Sequence, residues 1–368
     1  MRVVANLSFV VPGVVGGSEE YSVRLINALM TSDSDIDLSV VGTSSLFAAH
    51  PDLGANHRLT FPGPGHIRPF RMAVESSWLN WATRRAALVH HFGGRAPARR
   101  SAPAAVTIHD IQPLDLPDNF PPVKRRYLSW ALPRTVRAAA MICAPSQWVA
   151  DRLVERLGAD PSRVRVVSST SGQRRATGPV PPEVARLGDR PLVLYPAVTH
   201  LHKNHVVLLA AMEQVVRDHP DALLVLTGGP GDMHDDVMAQ AHRLDPDCRF
   251  IRHLGRVAAA TMAELTARAD VVAFPSYYEG FGLPVLEAMD LGTPVVAADA
   301  TALPEVLGGA GVLVAPHDTE AWADALSALL ADDQRRAGLA VAGIGRASAY
   351  SAATAAKAIN AAWRDAVA

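Results

Sequence analysis

Short apolar runs that end in glycine- or proline-bearing turns, each followed by a helical stretch, recur along this chain. That alternation restricts it to α/β folds built on parallel sheets. The unit is clearest near the end. Residues 271–274 (Val-Val-Ala-Phe) read as a strand that stops at Pro275-Ser276. Gly280 and Gly282 allow unusual backbone angles, Pro284 suits the first position of a helix, Gly292 suits its stop and Pro294 prevents its continuation. A second strand follows over 294–298. In open parallel sheets, the loop at the carboxyl end of a strand is where ligands bind.

That loop carries chemistry. Glu279 lies in the glycine-rich turn, and Glu287 follows after seven residues, one turn into the helix. Carboxylates accept hydrogen bonds from hydroxyls, and helix N-termini bind phosphate. Together they describe a site for a sugar nucleotide. The plain alternative is an acidic surface turn capping a helix. The coincidence of both acids, the glycines and the preceding strand favours the ligand reading.

The first half follows the same rhythm. Strands are expected at 3–6, 37–41, 88–91, 104–108, 141–144 and 164–167, with helices at 22–30, 127–139 and 147–157, the last capped by Ser146. Proline and glycine concentrate over 172–191. The expected organisation is a first domain over 1–175, a linker over 176–190, a second domain over 191–350 and a terminal helix within 351–368. In the second half, strands are expected at 192–196, 222–227 and 250–254, with helices at 206–218, 320–330 and 352–367. A chain of 368 residues suits two cores.

Composition narrows the class. With 49% hydrophobic and 19% charged residues the chain reads as globular, and no apolar run is long enough to span a bilayer. Cys143 and Cys248 are too few for a disulfide framework, which points to a cytoplasmic setting, and both are expected buried in or beside strands. Residues 1–180 hold 21 Lys or Arg against 13 Asp or Glu, while the remainder is acidic. A basic half suggests an anionic partner, either the inner face of a membrane touched peripherally or a phosphate-bearing acceptor. No strongly amphipathic basic helix is evident in the sequence, and ordinary solvated charge is the alternative. Nucleic acid is not expected as a partner.

The segment Glu279-Gly280-Phe281-Gly282-Leu283-Pro284-Val285-Leu286-Glu287 resembles the E-x7-E motif of the retaining glycosyltransferases of family 4, the glycosyl transferases group 1. The resemblance spans most of the chain and is most specific over 254–316. It implies the GT-B fold: two Rossmann-like, doubly wound parallel-sheet domains facing a cleft, with a terminal helix crossing back onto the first. It also implies that Glu279 contacts the donor sugar and Glu287 the nucleotide ribose.

Other positions follow. Lys203, one of three lysines, stands between a strand and a helix where the resembling family places a diphosphate-binding lysine. Many members carry an arginine shortly before it. Here Ala197, Val198 and Thr199 occupy that region, leaving His200, His202 or backbone donors to neutralise phosphate. His202-Lys203-Asn204 resembles some mannosyltransferase branches. Gly16 and Gly17 open the first helix, in a loop the family uses near the donor phosphates. His109 ends a strand where the family has a histidine against the donor sugar, and Asp110 either orients it or binds the acceptor. Gly228 belongs to a tight loop near the base, and Phe281 and Leu283 shape the nucleotide pocket. Glu305 is read as a helix cap. No Asp-x-Asp pair stands at a strand end and no His/Cys cluster has zinc spacing, so no metal or other cofactor is expected.

The expected function is retaining transfer of a hexose, of mannose or glucose type, from GDP-mannose or a UDP-hexose to a hydroxyl of a glycan, lipid-linked saccharide or small metabolite. Glu279, Lys203 and His109 carry the positioning and charge stabilisation. The alternatives are a GT-B sugar-nucleotide epimerase and a non-catalytic sugar-nucleotide-binding protein.

Overall fold

The computed structural model describes residues 1–55, 57–97, 99–172 and 179–368. The chain divides into two compact units, Met1–Thr170 with Tyr350–Ala368, and Ser171–Ala349. Residues 175–178, where the first domain was expected to end and the linker to begin, lie outside the described residues. The described part of the expected linker is built into the second unit. Val184 is buried, Thr261 Oγ1 donates to Glu183 at 2.9 Å, and Arg268 donates to the Val184 carbonyl at 2.9 Å.

The first unit is a seven-stranded sheet of β1 (Arg2–Asn6), β2 (Asp37–Gly42), β3 (Arg58–Thr60), β4 (Leu88–His91), β5 (Ala104–Thr107), β6 (Met141–Ala144) and β7 (Val164–Val166) in the order β3-β2-β1-β4-β5-β6-β7, every pairing parallel. The terminal helix Ala352–Asp365 belongs to this unit's core. Ile359, Ala362 and Trp363 are fully buried among residues of β1 and β4 and of the helix Gly17–Met30.

The second unit is a six-stranded parallel sheet of β8 (Leu192–Pro196), β9 (Leu223–Thr227), β10 (Ile251–His253), β11 (Val271–Phe274), β12 (Val295–Ala298) and β13 (Val312–Val314), ordered β10-β9-β8-β11-β12-β13. Its central strands are apolar throughout because helices cover both faces of a parallel sheet. Helix Leu283–Asp290 packs against helix Asp333–Ala347, where Gly343 lets Met289 approach closely.

Several elements differ from the sequence reading. Helix Gly17–Met30 starts five residues before the expected 22, because Gly16 at φ 69° is its N-cap and Glu19 and Glu20 suit its first turn. Helix Pro122–Ala138 starts ahead of 127, since proline presets its first turn and the exposed polar turns that follow show no apolar period. Helices His234–Leu244 and Asp333–Ala347 were not expected; they bury only Val237, and only Gly343 and Ala347, respectively. Strands β3 and β13 lie at sheet edges with half-exposed side chains. Cys143 is buried in β6 as expected, but Cys248 is exposed, on a turn at φ 51°.

Candidate functional site

In each sheet the strand order reverses direction once, and the crevice at that switch point is where open α/β sheets bind ligands. In the second unit the switch falls between β8 and β11. Lys203 follows β8 and Glu279 follows β11. The two expected site residues therefore meet, with Lys203 Nζ donating to Glu279 Oε1 at 2.5 Å. Their side chains are 19% and 13% exposed, enough to meet a ligand yet shielded enough for a firm ion pair.

The loop bearing Lys203 is fixed by its own carbonyls and by Asn204. Tyr195 OH donates to the Lys203 carbonyl at 2.5 Å. The His202 carbonyl accepts from Tyr277 N at 3.0 Å and from Ser276 Oγ at 3.1 Å. Asn204 adopts the left-handed conformation at φ 58°, and its amide donates to the carbonyls of Pro275 and Pro316 at 3.2 and 2.5 Å. On the other side, Glu279 N donates to Thr301 Oγ1 at 3.0 Å. Sequence reasoning gave Asn204 no structural role and passed over Tyr195 and Thr301. Asn204 had a legible signal, since asparagine tolerates the left-handed region at a helix entry.

The turn after Glu279 enters helix Leu283–Asp290, one residue earlier than Pro284, with proline in the first turn. Gly282 is its N-cap at φ 94°, and a Cβ there would stand 2.5 Å from Leu303 Cδ2, so this position is closed to other residues. Phe281 is buried, while Gly280, Leu283 and Glu287 are half-buried along the same turn and helix. Gly228, at φ 127°, is a glycine for a different reason than ligand room: a Cβ would collide with the Ala197 carbonyl. Glu305 lies in the first turn of helix Leu303–Leu307, next to the same edge.

Of the two histidines considered as phosphate partners, His202 is pulled down to about 4 by burial and then by Lys203, so it is neutral near pH 7. His200 Nδ1 is 2.8 Å from Asp232 Oδ1 on the exposed surface. A cation not foreseen from the sequence, Arg256, follows β10 and lies beside Gly229, 3.6 Å from where a Cβ would stand.

In the first unit the switch falls between β1 and β4. Gly16 and Gly17 open the helix that follows β1, and a Cβ on either would meet nothing within 4 Å. The same loop is tied by buried Glu19, which accepts from Gly13 N and pairs with His50 Nε2, both at 2.8 Å. His109, after β5, packs edge-on to Tyr21 at 5.0 Å and directs Nε2 at the Phe92 carbonyl 3.1 Å away. A carbonyl only accepts, so Nε2 holds the proton. Burial lowers this imidazole to about 4. Nδ1 is therefore a lone-pair acceptor. Asp110 Oδ1 accepts from Gln112 N at 3.0 Å. A polar cluster at the switch itself was not foreseen. Buried Glu75 accepts from Ser8 Oγ at 3.0 Å, Asn6 Nδ2 at 3.2 Å and Arg95 Nη2 at 2.5 Å. The glycine pair Gly93-Gly94, one residue after β4, was its sequence signal.

The model of the family described as Glycosyltransferase Family 4 matches residues 15–169, and that described as Glycosyl transferases group 1 matches residues 190–332. A D-inositol 3-phosphate glycosyltransferase of Xylanimonas cellulosilytica is 31% identical over 365 residues, covering 89% of this chain and 86% of the relative. This chain belongs to the group 1, family 4 glycosyltransferases.

Within that family, an O-antigen chain mannosyltransferase B of Escherichia coli is 29% identical over 253 residues, 67% of this chain and 66% of the relative. The crystal structure of Anabaena Alr3699/HepE in complex with UDP and glucose superposes with a TM-score of 0.78 at 20% identity, covering 98% of each chain. Sucrose-phosphate synthase from Thermosynechococcus elongatus gives 0.78 at 20% identity over 99% of this chain and 98% of that one. These likenesses establish the GT-B fold, and each family match falls on one parallel-sheet unit.

Proposed function

We propose that this protein transfers a hexose, of mannose or glucose type, from a nucleoside diphosphate sugar to an acceptor hydroxyl with retention at the anomeric carbon. The observation that carries the reading is the Lys203–Glu279 pair at the β8/β11 switch point, 2.5 Å apart and backed by the glycine turn into helix Leu283–Asp290.

The ammonium of Lys203 has three N–H donors and points one at Glu279, leaving the others for the oxygens of a diphosphate. Glu279 Oε1 holds Lys203, leaving Oε2 to accept from a sugar hydroxyl. Glu287 takes the ribose hydroxyls. Because backbone hydrogen bonds fix the loop around Lys203, little reorganisation accompanies the reaction, and charge growing on the departing diphosphate meets a cation already in place. The C1–O bond to phosphate breaks, the C1–O bond to the acceptor forms on the same face, and the acceptor proton passes to the leaving phosphate oxygen. In the first unit, His109 presents an unprotonated Nδ1 that can accept from a ligand hydroxyl.

The names of the relatives support a polyol phosphate or a glycan chain as acceptor, and the UDP complex of a structural neighbour supports UDP as the donor's nucleotide. Calorimetric titration with a panel of nucleoside diphosphates and their sugars tests the donor site. Selective binding of one sugar nucleotide, weakened in both Glu279→Ala and Lys203→Ala, is expected. A folded protein that binds none of the panel overturns the reading.

A further inference from the structure

Helices Arg68–Val74 and Pro122–Ala138 of the first unit carry two and five basic residues respectively, and no acidic one. Between them runs an open groove of about 680 Å³, walled by Pro69, Met72, Pro121 and Tyr127 and bearing Arg68 and Lys124. Arg68 stacks on Tyr127 at 5.0 Å and Lys124 on Phe120 at 4.7 Å. Among the described residues neither cation forms an ion pair. Asp110 is the carboxylate that acts on Lys124, and burial and Arg68 together outweigh it, holding the ammonium below its ordinary range. Two like charges converging on an apolar groove await an anion.

The same face exposes apolar side chains. Val123 is 84% exposed and Trp130 54%, two helical turns apart on one side of the helix, and Arg134 stacks on Trp130 at 4.4 Å. Ile67 and Phe70 are exposed at the start of the other helix. A nucleic acid backbone offers phosphate but nothing for valine and isoleucine. A lipid headgroup layer offers phosphate beside hydrocarbon, and tryptophan and arginine suit that boundary.

We propose that this face of the first unit docks on an anionic lipid surface, one lipid phosphate entering the groove between Arg68 and Lys124 while Val123 and Trp130 sink into the headgroup layer. The inference concerns the first unit alone and stands or falls apart from the donor site.

Co-sedimentation of the full chain with vesicles tests it. Binding is expected to vesicles of phosphatidylcholine mixed with phosphatidylglycerol and not to phosphatidylcholine alone. Lys124→Gln and Arg126→Gln should each weaken it about fivefold, the effect of one surface charge near an anionic leaflet. Trp130→Ser should weaken it with every charge kept, which a purely electrostatic contact does not predict. All three positions border solvent, and unchanged circular dichroism and melting confirm that the variants fold. Equal binding to both vesicle types, no binding to either, or anionic binding indifferent to all three substitutions overturns the proposal. So does displacement by inorganic phosphate beyond that caused by sodium chloride of equal ionic strength, which would mark a free-anion site. Retention on single-stranded DNA without retention on vesicles would point to nucleic acid instead.

Discussion

The indole N–H of Trp363 donates to Nδ1 of His90 at 2.7 Å, joining the terminal helix to the middle of the first sheet across 273 residues of chain. Trp363 can only donate, so Nδ1 carries no proton and Nε2 does, donating in turn to Thr107 Oγ1 at 2.8 Å. Both rings are fully buried, and the tail is therefore part of the core. Trp363→Phe should cost about 1–3 kcal/mol by orphaning His90 Nδ1, and Trp363→Ala about 3–5 kcal/mol by adding a cavity. Calorimetry should show the loss in the transition of the first unit, and an unchanged thermogram would contradict this anchoring role.

Acid should destabilise the protein before its carboxylates titrate. Burial is the first cause of lowered values at His90, at His91 and His205 (each to about 3), and at His109 and His202 (each to about 4), against an ordinary 6.5. These imidazoles stay neutral when folded. Below 6.5 the unfolded chain takes up protons that the folded chain refuses. Stability is thus complete above 6.5 and is lost as pH falls towards 4, by at most about 1.4 kcal/mol per pH unit for each histidine. Urea midpoints measured across that window should fall steadily, and a flat profile would rule the mechanism out.

The ion pair in the second unit should matter far more to turnover than to folding. Lys203→Ala and Glu279→Gln should each lower kcat by about 10²–10³, the scale for removing a preorganised charge at the reacting centre. Stability should change by about 1 kcal/mol or less, since both side chains keep some access to water. If the two losses prove additive in the double variant, the residues do not act as a unit.

Two glycines separate packing from ligand contact. Gly282→Ala introduces a side chain at φ 94° with Leu303 Cδ2 only 2.5 Å from its Cβ, so melting and activity should fall together, the former by about 1–3 kcal/mol. Gly17 has no positive φ and nothing within 4 Å of a Cβ. Gly17→Ala should leave melting unchanged or slightly raised, so a change in kinetics would report ligand contact at that backbone rather than packing. Unchanged kinetics would remove Gly17 from the donor-binding set.

Much of this was legible in the chain. Periodicity marked most of the buried strands, because a strand covered on both faces must be apolar along its length, and Ser146 marked a helix start by its capping hydroxyl and Pro284 by its fixed φ. The E-x7-E turn announced itself because its glycines, acids and preceding strand are neighbours in sequence. Helix His234–Leu244 escaped because it buries so little, and β3 because an edge strand needs no apolar run. Tertiary structure alone decided what depends on distance through space. It set strand order, and so placed Lys203 and Glu279, 76 residues apart in the chain, on either side of one switch point. It made His109 Nδ1 an acceptor by setting the Nε2–H to donate to the Phe92 carbonyl. It gathered Glu75, Arg95 and Asn6 into one cluster and exposed Val123 and Trp130 beside Lys124. A sequence states which groups are present, whereas burial, tautomer and ion pairing depend on which of them the fold makes neighbours.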